Sequence, residues 1–113
     1  QPFDRPHLAE AFAAGVVAVM ARGKSNRGEK TMLDVLIPVS ETLVQSVEEA
    51  WPDTLLRERL DAVAAAGCES TRNMIATKGR ASFLGERAIG YLDPGARTSQ
   101  LMLGGILAVW AGE

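Results

Sequence analysis

Leu8, Phe12, Val16 and Val19 recur at the spacing of helical turns and predict an apolar face on a helix over 5–22. Asp4 is its N-cap candidate, because a short carboxylate reaches a first-turn amide, and Pro6 falls where a missing donor costs nothing. Leu33, Leu36, Ile37, Leu43, Val44 and Val47 predict a second helix, starting near Glu29 or Lys30 and reaching Ala50. Pro38 interrupts it and predicts a kink near 34–37. Leu56, Leu60, Val63, Gly67, Ser70 and Met74 trace a third face over 54–77. Asp53 or Thr54 would cap that helix and Gly79 would end it, while the small run Ala64–Gly67 admits a close neighbour. Asp93 as N-cap and Pro94 as first helical residue open a fourth helix. Its residues Leu101, Met102, Leu103, Ile106, Leu107, Val109 and Trp110 leave almost no polar side, which predicts burial, and Gly104-Gly105 suggests close packing. No alternating strand pattern and no internal repeat occurs, so the expected architecture is all-α with antiparallel up-and-down helices.

Gly23–Gly28 and Lys78–Arg97 break the periodicity. The second is too irregular for a helix and too long for a plain connection, and it carries four glycines and its own apolar groups. Long connections inside compact domains are usually functional or disordered, and Phe83, Leu84, Ile89, Tyr91 and Leu92 favour an ordered functional loop. Gly23 is the expected C-cap of the first helix. The Gly23–Gly28 loop is not a phosphate-binding GxxxxGK[ST] motif, because its lysine follows the first glycine.

Composition narrows the classes. At 113 residues, with 47% hydrophobic and 23% charged positions, the chain has the size and balance of one soluble domain. A formal charge of −2 with no basic stripe argues against nucleic acid as a partner. No apolar run reaches the ~18 residues of a membrane span, and the lone Cys68 fits a reducing compartment, so a cytoplasmic location is expected. Cys68 reads as a small buried group and His7 as a solvated side chain, since no second histidine exists to share a metal. Lys30 and Asp34, four apart on the second helix, can form a surface pair or serve a function.

Alternating helix directions would bring the two loops to the same end of the bundle, together with the start of the fourth helix. Lys24, Arg27, Arg80 and Arg87 gather there with a helix N-terminus, whose free amides and partial positive charge suit phosphate. Gly95 leaves that turn open. An anionic ligand such as a nucleotide is the expected occupant. No nucleophile–base pair, catalytic residue or metal cluster can be read from the spacing.

Two motifs then carry a family. Gly28-Glu29-Lys30-Thr31-Met32-Leu33-Asp34 resembles the GDKTMxD segment of the L subunit, or L domain, of dihydroxyacetone (glycerone) kinases. Lys78–Arg87, KGRASFLGER, continuing to Asp93-Pro94-Gly95-Ala96, resembles the KGRASYLGERSIGHxDPGA signature of the same domain, at the matching distance. The departures are Glu29 for Asp, Phe83 for Tyr, Ala88 for Ser and Tyr91 for His. The resemblance implies an antiparallel barrel of eight helices that binds ADP or ATP at one end. Its nucleotide contacts would fall on Gly23, Met32, Arg80, Asp93, Pro94 and Gly95. A K subunit or domain would hold dihydroxyacetone or a related short ketose, and in phosphotransferase-coupled versions an M subunit recharges the ADP.

The family's N-terminal half, with its GDxDHG-type aspartates for magnesium, has no counterpart here. Residues 1–113 therefore resemble the C-terminal half of the domain, about four of eight helices. Magnesium would come only through those aspartates, and no kinase activity is expected from these residues alone. A half barrel would expose apolar surface, predicting self-association or a missing partner segment. The alternative is a free-standing helical module that binds nucleotide or a regulatory partner without catalysis.

Overall fold

In the computed structural model, which describes residues 4–74 and 89–110, every regular element is helical and the architecture is all-α. Helix α1, Arg5–Gly23, opens at Asp4, whose carboxylate accepts the His7 amide at 2.9 Å. It closes with Lys24, not Gly23, in the left-handed conformation (φ 49°), because the amides of Lys24 and Ser25 both turn back to the Met20 carbonyl.

Helix α2, Leu33–Glu48, starts later than its periodicity suggests. Lys30 has φ 60°, a left-handed backbone that ends any helix passing through it. The Asp34 carboxylate folds back to accept the amides of Thr31 (2.9 Å) and Gly28, fixing the turn before α2. The helix then runs across Pro38. Proline has no amide for the carbonyl four residues earlier, that of Asp34. Gly67 of the facing helix lies directly against this carbonyl: a Cβ there would fall 2.3 Å from the Asp34 oxygen and 3.2 Å from the Val35 Cα. Two deviations from ideal helix chemistry, a proline and a glycine, thus sit opposite each other and let the backbones touch.

Helix α3, Asp53–Ser70, passes into a 3-10 turn, Thr71–Asn73, instead of continuing to Thr77. Thr71 draws the chain into that tighter turn by donating its hydroxyl to the Cys68 carbonyl at 2.7 Å. The expected end at Gly79 lies outside the described residues. Asp53 does not cap α3. It accepts the Arg5 guanidinium, which also donates to the Trp51 carbonyl, and so closes the α1–α2–α3 end of the bundle. Helix α4, Pro94–Trp110, begins where its cap signal places it.

Helix α2 packs between α1 and α3, and α4 lies on α3 and partly on α2. The main core joins Val35, Val39 and Leu43 to Leu56, Leu60 and Cys68, with Ala9 and Ala96 contributed by the outer helices. Val16, Leu33 and Ile37 form a second cluster between α1 and α2. The buried line on α1 is Ala9 and Val16, while Leu8 is 45% exposed. Helix α4 departs from expectation: Leu101, Met102 and Ile106 are about 60% exposed, and a Cβ on Gly104 or Gly105 meets nothing within 4 Å. Leu103 of α4 packs on the core formed with α3 and α2, while Leu101, Met102 and Ile106 face away from it. Among the described residues, no helix is long and apolar enough to cross a membrane.

Cys68 is buried as expected, and burial pushes its thiol above the ordinary range. A thiol reagent such as DTNB should therefore leave the native chain unlabelled at neutral pH and label one thiol once denaturant unfolds it. Labelling of native and unfolded chains at the same rate would show that the α2–α3 interface opens freely.

Candidate functional site

The start of α4 is held by three residues from three segments. Asp93 is buried, and its Oδ2 accepts the Ala96 amide at 2.9 Å. Its own amide donates to Thr71 Oγ1 at 2.9 Å, and its carbonyl accepts the Arg97 amide at 2.9 Å. Thr71, with no exposed surface, thereby joins the end of α3 to the start of α4. The third residue is Lys30. Only 1% of it is exposed, and its ammonium donates to the carbonyls of Thr71 and Tyr91. Arg72 adds a bond from its guanidinium to the Gly90 carbonyl at 3.1 Å, and the Gly90 amide returns to the Arg72 carbonyl. Gly90 has φ 96°, a conformation that a side chain would strain.

This arrangement corrects two expectations. Lys30 and Asp34 are not a surface pair, since both are buried: the lysine spans to Thr71 and Tyr91 while the aspartate holds the amides of Gly28 and Thr31. The first turn of α4 also lacks the free amides that would grip a phosphate. Pro94 has none, and those of Ala96 and Gly95 are turned to the Asp93 carboxylate. What remains open is a different surface. Met32, 42% exposed, lies beside Gly95: a Cβ on Gly95 would come 3.6 Å from both the Met32 Cβ and its backbone nitrogen, and 3.1 Å from Asp93 Oδ2. Met32 and the bare backbone of Gly95 thus border a gap that a single methyl would fill, with Asp93 Oδ2 at its edge.

Burial dominates the electrostatics. It pushes the Lys30 ammonium below the ordinary lysine range, with Asp93 the main charge opposing the shift. It pushes the Asp93 carboxyl above the ordinary range, opposed by the Ala96 and Gly95 amides and then by Lys30.

The structure brings Met32, Asp93 and Gly95 together, with Pro94 exposed at the rim. Gly23 stands apart in its contacts, for a Cβ there would meet only Ser25 Oγ within 4 Å. Arg80 lies outside the described residues. Lys30 and Thr71 are the functional-end residues that periodicity missed. A lysine three residues before a helical run looks like a solvated first-turn side chain, and nothing local announces its left-handed backbone. Among the described residues, no group of three or more His, Cys, Asp or Glu could hold a metal ion. A groove of about 400 Å³ on the α2–α3 face is lined by Pro38, Val63, Gly67 and Met74 below Arg27. It is a different place, and the acid on its wall, Asp34, is committed to backbone amides.

Comparison with known proteins points the same way. The DAK2 domain profile matches residues 1–108. The ADP-binding subunit DhaL of the PEP-dependent dihydroxyacetone kinase of Escherichia coli (strain K12) is 44% identical over 113 residues, covering 100% of this chain and 53% of that protein. The corresponding subunit of dihydroxyacetone kinase 1 of Listeria innocua is 41% identical over 107 residues, 95% of this chain and 48% of that protein. An L-erythrulose 1-kinase of Mycolicibacterium smegmatis is 33% identical over 101 residues, 88% of this chain but 17% of its own length. The chain thus spans about half the length of the DhaL subunits it matches.

Proposed function

The chain belongs to the DAK2 domain family, and on that premise we propose that it is the nucleotide-binding C-terminal half of an L subunit or L domain of a dihydroxyacetone kinase. The observation that carries the proposal is the meeting of two motifs far apart in sequence: Met32 of the KTM segment against Gly95 of the Asp93-Pro94-Gly95 turn. In this reading the adenosine end of ADP or ATP lies on the rim of this gap, against the exposed part of Met32. Met32 supplies polarizable surface for a ring, while the buried Asp93 carboxylate shapes the turn through the Ala96 and Gly95 amides. Gly23, Pro94 and Arg80 are the remaining proposed contacts, the arginine suited by its chemistry to phosphate.

Phosphoryl transfer needs metal-neutralised phosphates. By the family resemblance, magnesium would be held by aspartates of a segment beyond these 113 residues or of another chain. The phosphate would pass to dihydroxyacetone or a related short ketose on a K-type subunit. ATP, or ADP recharged by an M-type phosphotransferase subunit, would be the donor, in the cytoplasm and in glycerol metabolism. Helices α1 to α4 would form half of an eight-helix barrel. The exposed Val17 of α1 and Leu101, Met102 and Ile106 of α4 support an edge that further helices cover.

Calorimetry of ADP, with and without magnesium, tests the reading on the natural gene product that contains these residues. Gly95→Ala makes the test local. The added methyl presses on the cap carboxylate, Asp93 Oδ2, at 3.1 Å, while alanine suits a helix better than glycine by about 0.5–1 kcal/mol, so the two effects oppose and a melting curve accompanies the titration. ADP affinity should fall about tenfold, because the methyl enters the gap. Absence of ADP binding in the unaltered protein would overturn the nucleotide reading. Unchanged affinity in G95A would remove the ligand from this gap, and binding indifferent to magnesium would favour a module without phosphoryl transfer.

A further inference from the structure

Lys30 is an expensive choice for its place. A lysine with 1% exposure has surrendered the hydration of its ammonium, and its backbone occupies a left-handed conformation that a side chain resists. Its two acceptors are not neighbours in sequence. Thr71 follows α3 and Tyr91 precedes the α4 cap, so the ammonium draws together the chain on both sides of residues 75–88. Thr71 passes the constraint on, because its hydroxyl accepts the Asp93 amide. Lys30 itself lies two residues before Met32. One side chain therefore connects the backbone carrying Met32 to the backbone carrying Asp93 and Gly95. These are the two walls of the gap described above.

We propose that Lys30 is the positioning residue of the nucleotide gap, a buried ammonium that sets the spacing between Met32 and Gly95 through the carbonyls of Thr71 and Tyr91. The inference rests on the nucleotide reading and adds a residue that does not touch the ligand. An ammonium suits the task because it donates in several directions at once to acceptors on separate segments, which no apolar side chain can do. Asp93, Asp34 and Arg72 are the charged groups that bear on it, and the Asp93 carboxylate is its main electrostatic support.

The test compares unaltered protein, Lys30→Met and Lys30→Arg in the natural gene product, by ADP calorimetry and by amide NMR below each melting temperature. In the unaltered protein ADP should move the Gly95 and Ala96 amide resonances. In K30M, ADP affinity should fall at least about tenfold and those two resonances should stop responding. The amides of Ser46 and Trp51, at the Arg5-sealed end, should keep their positions. K30R keeps a multi-directional cation and should recover most of the affinity. Should K30M not fold, Lys30→Gln, which keeps a donor for one of the two carbonyls, takes its place with an intermediate loss expected. A folded K30M or K30Q that binds ADP within about twofold of the unaltered protein overturns the inference and leaves the nucleotide reading standing. An unaltered protein that shows no ADP response overturns both.

Discussion

Gly67→Ala should destabilise the fold by about 3 kcal/mol or more, a large fraction of the stability of a small domain. The added methyl would lie 2.3 Å from the Asp34 carbonyl oxygen, 3.2 Å from its carbon and 3.2 Å from the Val35 Cα. All three are backbone atoms, so no rotamer change relieves the overlap; α2 and α3 must separate. Separation opens the core that Val35 and Val39 share with Leu60 and Ala64, and it moves Asp34 off the amides that define the start of α2. Gly104→Ala and Gly105→Ala serve as controls in the same chain. Both glycines lie inside α4 with open space at the Cβ position, so each alanine should stabilise by about 0.5–1 kcal/mol. Urea midpoints of the three variants decide the matter. A midpoint for G67A within error of the parent would mean that the two helices do not approach as described.

Gly67 also marks where sequence reading stops. The run Ala64–Gly67 announces a close approach, because small residues permit one, and the structure places it there. Which atom is approached cannot be read from α3. It depends on Pro38, which leaves the Asp34 carbonyl without its helical donor, and therefore on the register between two helices about thirty residues apart. The helix starts show the same division. Asp4 and Asp93 cap as their local chemistry dictates, since an N-cap needs only its own side chain and amides two or three residues on. Asp53 has equally good local chemistry and does not cap: Pro52 holds the N-cap position, and the Asp53 carboxylate accepts from Arg5, 48 residues away.

The end of the bundle that holds the candidate site follows this rule as well. Met32, Asp93 and Gly95 were reachable through alternating helix direction and the two family motifs. Lys30 and Thr71 were not, because their roles arise from a left-handed backbone and from acceptors contributed by distant segments. The apolar run of α4 predicts burial from its composition, and the structure does not bear it out. Its actual exposure depends on which elements are present to cover it, a quantity that no single helix encodes.

Asp93→Ala should cost about 3 kcal/mol at neutral pH, more than the loss of an ordinary cap. The cap itself, the bond from the Ala96 amide, accounts for ~1–2 kcal/mol. The remainder arises because Lys30 loses the main charge that supports its buried ammonium. The two parts separate by pH. In the parent, Lys30 holds its proton less tightly when folded than when unfolded, where it titrates near 10.5. Between those two values the unfolded chain binds more protons, so this group's contribution to stability rises with pH. Removing Asp93 lowers the folded value further and widens the window downward. The D93A deficit should therefore be largest at neutral pH and shrink as pH rises toward 10.5, leaving the cap's share. Cys68, whose thiol is shifted upward by burial with a smaller push from Asp93, acts in the opposite sense and changes with Asp93, so the comparison is made in a Cys68→Ala background. Asp93→Asn retains an acceptor for the Ala96 amide while removing the charge, so it should keep most of the cap and still show the alkaline recovery. Denaturant unfolding of the three proteins at intervals from pH 7 to about 10 measures both parts. A D93A deficit that stays constant across that range would show that Asp93 acts as a cap alone and that Lys30 is supported by other groups.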